Sequence, residues 1–172
     1  YTACGDQFVK SIRYFNIGFT GCGVKLLEGN INVISQLNIA SGSSLDVSAG
    51  NYSIAYFNAW SSLTQNWINN GTFVCRAGTV SYGSNDGGGA LNITNPAGEV
   101  FYNLVVNSSN GSGIVLQSPV KVLNNLNLIT SWIKLNSNPL TMDVNATITG
   151  GSAQSHVITN GTGEMRKNFD AI

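Results

Sequence analysis

Charge is scarce in this chain: of 172 residues only eight are Lys or Arg, eight are Asp or Glu, and one is His. So few ionisable groups, with no surplus of either sign, leave little from which to build an acid–base or metal site and no basic footprint for nucleic acid. Proline and cysteine are each limited to three. Long apolar runs are missing as well: the extended uncharged stretches, 47–75 and 100–120, are broken by polar segments such as Asn107-Ser108-Ser109, so no membrane span is expected. A start at Tyr1 and an end at Ile172 directly after a strand-like run are what a segment cut from a longer precursor would show.

What is abundant is Asn, Gly, Ser and Thr, which together fill 74 of the 172 positions. An apolar fraction of 42% with 9% aromatics is nevertheless enough for a core, which excludes a disordered chain. The apolar residues fall in short i, i+2 pairs, among them Ile31/Val33, Leu37/Ile39, Ile54/Tyr56, Val80/Tyr82, Leu91/Ile93 and Val120/Val122. That spacing puts alternate side chains of a strand on one side. Gly, Asn, Ser or Pro separate the pairs and no sustained 3.6-residue stripe intervenes, so the class is all-β.

Leu104, Leu126 and Ile148 recur every 22 residues, with further apolar pairs between them. A step of that length fits one coil of a solenoid whose three short strands each stack in parallel on the coil below. The expected fold is a right-handed parallel β-helix, a three-faced β-solenoid, over 28–172, preceded by an atypical N-terminal cap over 1–27. Leu104, Leu126 and Ile148 should form one inward stacking column. The same register aligns Asn103, Asn125 and Thr147, giving Asn103 and Asn125 as an Asn ladder; the alternative is that Asn and Gly only supply left-handed turns. Cys4 and Cys22 bracket the cap and could close a 19-residue loop as a disulfide, with Cys75 left over; alternatively all three are buried small hydrophobes.

Several segments carry a resemblance. Leu45-Asp46-Val47-Ser48-Ala49-Gly50-Asn51-Tyr52-Ser53-Ile54, Asn66-Trp67-Ile68-Asn69-Asn70-Gly71-Thr72-Phe73, Phe101-Tyr102-Asn103-Leu104-Val105-Val106-Asn107 and Leu123-Asn124-Asn125-Leu126-Asn127-Leu128 resemble the repeat regions of large secreted Bacteroidetes surface proteins. The resemblance covers about residues 37–168 and implies export by the type IX route and adhesin-like β-solenoids. The segment 1–27 has no counterpart in it, and 59–65 reads as an insertion.

Chemistry is mostly to be declined. Asp46, Asp86, Glu99 and Asp143 are scattered; the intervals from Asp46 to Asp86 and from Glu99 to Asp143 approach two coils, but surface acids are the expected reading. His156 with Cys75 has no flanking signature of a thiol nucleophile. The run Gly83-Ser84-Asn85-Asp86-Gly87-Gly88-Gly89 lacks both the phosphate-loop ending and the repeated calcium nonapeptide. No catalytic residue, metal ligand or cofactor is therefore expected. Tyr52, Tyr56, Phe57, Trp60 and Trp67 cluster in sequence and are candidates for contact with a ligand or partner, because aromatic rings offer stacking faces for sugars and anchors for proteins; the alternative is that most of them cap the core. The function expected from these residues is a non-catalytic extracellular or cell-surface structural or adhesive module that associates with itself or with like modules, or forms a filament end to end. The alternative is a β-helix that binds or processes carbohydrate, with surface glycans as partners.

Overall fold

The structure, a computed structural model, describes residues 1–58, 63–84, 89–109 and 111–170. Among these it is all-β, with no helix, and its parallel strands stack as a β-solenoid of about six turns. In chain order the strands are β1 (Gln7–Val9), β2 (Arg13–Phe19), β3 (Val24–Leu27), β4 (Ile31–Ile39), β5 (Ser44–Asp46), β6 (Ile54–Asn58), β7 (Gln65–Asn69), β8 (Thr72–Val74) and β9 (Thr79–Ser84). They continue as β10 (Leu91–Thr94), β11 (Glu99–Asn107), β12 (Ile114–Leu116), β13 (Val120–Lys134), β14 (Leu140–Met142), β15 (Thr147–Gly150), β16 (Ser155–Ile158) and β17 (Met165–Lys167).

The pairings resolve into three faces. On the first, the starts of β2 and β4, then β6, β9, the second half of β11, the middle of β13 and β15 pair in that order. On the second, the ends of β2 and β4 are followed by β7, β10, β12, the end of β13 and β16. On the third, β1, β3, β5 and β8 form one ladder, while the starts of β11 and β13 with β14 and β17 form another. No strand pairing joins those two ladders among the described residues.

Alternation explains the core. Ile31/Val33, Ile54/Tyr56, Val80/Tyr82, Leu104/Val106 and Leu126/Leu128 stack inward on the first face, and Leu37, Trp67, Ile93, Leu116 and Leu135 do so on the second; all are buried. β13 turns two corners without ending. A register shift opposite Phe101/Asn103 inserts one residue at the first corner, and Ser131 takes a positive φ of 79° at the second. Gly71 is required at another corner, since a Cβ there would meet the carbonyl oxygens of Ser43 and Ala40.

The two ends differ. The opening segment 1–27, expected as a cap preceding the coils, runs into them without a break: β1 and β2 place strands on all three faces as a first coil, and β3 already stacks on β1. Its features at the end are local: a Cys4–Cys22 disulfide with Cα atoms 4.4 Å apart, Tyr1 stacked on Phe19, and the Tyr1 carbonyl accepting from the Thr20 amide. Lys25 points inward and is buried, its ammonium donating to the carbonyls of Ala3, Gly5 and Cys22 at 2.8–3.0 Å. Val9 and Phe19 are fully covered in consequence. At the other end the column Leu104–Leu126–Ile148 is in register, but Ile148 is 48% exposed and Met165 36%, because no coil lies beyond them in the structure.

Candidate functional site

The aromatic cluster divides. Tyr56 and Trp67, expected as contact residues, are core residues with no accessible ring. Each lies at an inward position of its strand, and each satisfies its polar atom internally. The Tyr56 hydroxyl donates to the Asn66 carbonyl at 2.9 Å, and Trp67 Nε1 donates to Glu99 Oε2 at 2.6 Å. Tyr52 is half-buried against the core. Trp60 lies outside the described residues, as does Asp86. Among the described residues of this cluster, only Phe57 stands at an outward position beside a concavity.

That concavity is a hollow of about 250 Å³ on the outer side of the first face. Asn32, Ala55, Ser81 and Val105 occupy one outward position on four successive coils. Phe57, Gly83 and Asn107 supply the next outward row, with Phe57 directly opposite Gly83. The small residues Ala55, Ser81 and Gly83 make the depression and Phe57 and Asn107 make its walls. No lining residue is charged, so the hollow offers an aromatic face, two amides and a hydroxyl to a neutral ligand. Asn32, Ser81 and Asn107 were not singled out from the sequence; the signal available was their outward alternation opposite the inward pairs.

The acids are held apart. Asp46 is buried and accepts two charge-assisted bonds from Arg76, Nε at 2.6 Å and Nη2 at 2.7 Å, and one from the Ser48 amide. Arg76 holds the Asp46 carboxyl below its ordinary value. Asp143 pairs with Lys121 at 2.9 Å, which likewise lowers its pKa. Neither approaches the other: Asp46 belongs to the ladder that ends at β8, whereas Asp143 follows β14 in the second ladder. His156 is exposed on β16 of the last coil, on a different face from Cys75, which follows β8. Among the described residues no three His, Cys, Asp or Glu side chains gather as a metal-ion site.

Glu99 is the unexpected group. It sits at the break between the two third-face ladders, where Trp67 contacts Phe73 and Phe101 edge-on at 4.8 and 5.2 Å. Its carboxylate is buried without a cationic partner and accepts from Trp67 Nε1, Asn69 Nδ2 (2.9 Å) and the Val100 amide (3.1 Å). Burial outweighs those bonds and pushes its pKa up; burial also raises the Cys75 thiol, with a smaller contribution from Glu99. Glu99 is 2% exposed, its carboxyl bonded to Trp67, whose ring packs on Phe73 and Phe101.

Polar ladders run along the outside. Asn103 and Asn125 are in register, but the direct side-chain bond to Asn103 Oδ1 comes from Asn124 at 2.8 Å, because of the residue inserted at that corner. Asn125 Nδ2 donates to Thr147 Oγ1 at 2.9 Å and Asn103 Nδ2 to Thr79 Oγ1 at 3.2 Å. Comparison with protein-family models, with curated proteins and with solved structures finds no match. The geometry defines the class alone, a short, nearly uncharged β-solenoid.

Proposed function

We propose that the chain is a non-catalytic, rigid structural or adhesive module of the cell surface or extracellular space. The observation that carries the reading is how its ionisable groups are used. Asp46 and Asp143 are neutralised by Arg76 and Lys121, Lys25 and Lys167 bind backbone carbonyls, and Glu99 is sealed inside. Groups committed to holding coils together are not poised for proton transfer at a substrate. Export is supported by the Cys4–Cys22 disulfide and by the resemblance of the Asn-rich coils to type IX-exported surface proteins. Association of solenoid ends belongs to the same reading, since stacked strands leave unpaired edges at an uncapped end.

The test is incubation of the purified chain with plant, algal and bacterial polysaccharides, following release of reducing or unsaturated ends. No release is expected. Release that disappears in Asp46→Asn or Asp143→Asn would overturn the module reading. A second reading, carbohydrate binding without turnover, is favoured by the uncharged hollow beside Phe57. On a glycan array it expects retention that Phe57→Ala abolishes.

A further inference from the structure

We propose that the hollow beside Phe57 binds one neutral pyranose carrying an acetamido group, an N-acetylhexosamine, which rests on the carbohydrate reading above and names the sugar it leaves open. The ring packs on Phe57, and the acetamido group lies against Val105 and Asn107.

The stacking register sets the width of the slot. Phe57, Gly83 and Asn107 are outward on three successive coils, so Phe57 and Asn107 rise on either side of a residue with no side chain. Strands of neighbouring coils lie about 4.8 Å apart, which puts the two walls about 10 Å apart. A sugar ring packed on Phe57 at about 4 Å leaves about 6 Å to the Asn107 row, enough for a hydrogen-bonded side chain and too little for a second ring. The volume agrees: about 250 Å³ is less than that of sites that enclose drug-sized ligands. Gly83 keeps the floor low, since a Cβ there would lie 3.1 Å from the Asn107 carbonyl oxygen and 3.9 Å from Phe57 Cδ2, inside the slot.

The polar groups select the sugar. Asn107 Oδ1 accepts from Thr130 Oγ1 at 3.0 Å, which leaves Nδ2 as the end of that amide with no partner among the described residues. Asn107 therefore meets a ligand as a donor. Val105 stands two residues earlier on β11 and shares its outward direction, so an apolar surface and an N–H donor sit side by side. A sugar hydroxyl gains nothing from the Val105 methyls. An acetamido group matches both residues: its carbonyl oxygen accepts from Asn107 Nδ2, its methyl covers Val105, and its N–H finds an acceptor in Ser81 Oγ or Asn32 Oδ1. An anionic sugar is disfavoured, because no cation lines the hollow to offset the loss of its hydration. Arg13, the nearest cation on that row, stands one coil beyond Asn32.

The test is titration of the full chain, followed by ligand-observed NMR, with the methyl β-glycosides of N-acetylglucosamine, N-acetylgalactosamine, glucose, galactose and glucuronic acid. At least one acetamido glycoside should bind about tenfold or more tighter than its parent hexoside, and the glucuronide no tighter than the glucoside. Phe57→Ala should weaken every bound glycoside about tenfold. Asn107→Asp keeps an oxygen for Thr130 but exchanges the donor for an acceptor; it should abolish the acetamido preference and leave hexoside binding within about twofold. Damage to the fold would instead lower both sugars alike. Both side chains are outward, and circular dichroism checks that each variant keeps its strands. Hexosides bound as tightly as acetamido glycosides, tightest binding of the glucuronide, or equal losses for both sugars in Asn107→Asp would each overturn the assignment of the sugar. So would glycosides left unbound by a chain that retains glycans on the array. In all four cases Phe57-dependent retention on the array keeps the carbohydrate reading standing, and its absence there overturns that reading.

Discussion

Position along the stack, more than residue type, sets what each side chain contributes. Leu126 and Ile148 occupy the same column in register, yet one is fully buried and the other half exposed. Leu126→Ala is expected to cost about 2–5 kcal/mol and Ile148→Ala less than about 1 kcal/mol in the single chain, by denaturant titration. Equal costs would mean that the column is not stacked as described. Glu99 gives a second prediction. Its carboxyl ionises less readily in the folded chain than in the unfolded one, so below the ordinary carboxylate range it adds no pH dependence, and stability falls as pH rises from there through its raised value. Asp46 contributes oppositely: its lowered pKa gives stability that is lost as pH falls through the folded value. In Glu99→Gln the decline on the alkaline side should vanish while the acid-side loss remains, read from unfolding midpoints across pH and from Trp67 emission. An unchanged profile would remove Glu99 as its source.

At the scale of elements, each coil depends mainly on its neighbours, so damage should stay local. Lys25→Met leaves three carbonyls of the first coil without their donor and is expected to accelerate amide hydrogen exchange across 7–27. Exchange in β12 and β13 should not change; a uniform acceleration would contradict nearest-neighbour coupling. The 22-residue coils were legible in the sequence because residues 104–150 keep nearly constant length, so that inward pairs recur in phase. The coils carrying β6 to β10 were not, since six residues separate β6 from β7 and six separate β9 from β10, which dephases the pattern. The aromatic residues were misread for the same reason. Trp67 sits in a strand of strict alternation, Gln65, Trp67 and Asn69 all buried, but its large ring resembles a contact residue until the inward position is known. The hollow beside Phe57 was hidden because it arises from Ala55, Ser81 and Gly83 on different coils, which only the stacking register brings together.

At the scale of the molecule, stability comes from stacked strands and inward columns, with few ions involved. The four ion pairs among the described residues all have at least one partially exposed partner. Raising NaCl from about 0.05 to about 0.5 M is therefore expected to shift unfolding free energy by less than about 0.5 kcal/mol. A larger loss would show that electrostatics hold the coils.

The difference between the two ends also has a mechanical side. A chain wound as stacked coils, held by its termini and pulled, can give way one layer at a time rather than all at once, and the layer that yields first is the one with a neighbour on only one side. Of the two outermost coils described, the last yields first, because each has a lysine ammonium on three carbonyls but only the first is also held by a crosslink, Cys4–Cys22. Under a force probe the molecule should unwind from its C-terminal end in steps of roughly 7–8 nm, the contour of about 22 extended residues. The 18-residue separation between Cys4 and Cys22 should be missing from the total length until a reductant is added. Such a chain would act as a ratcheted tether, paying out length under load from one end while staying knotted at the other.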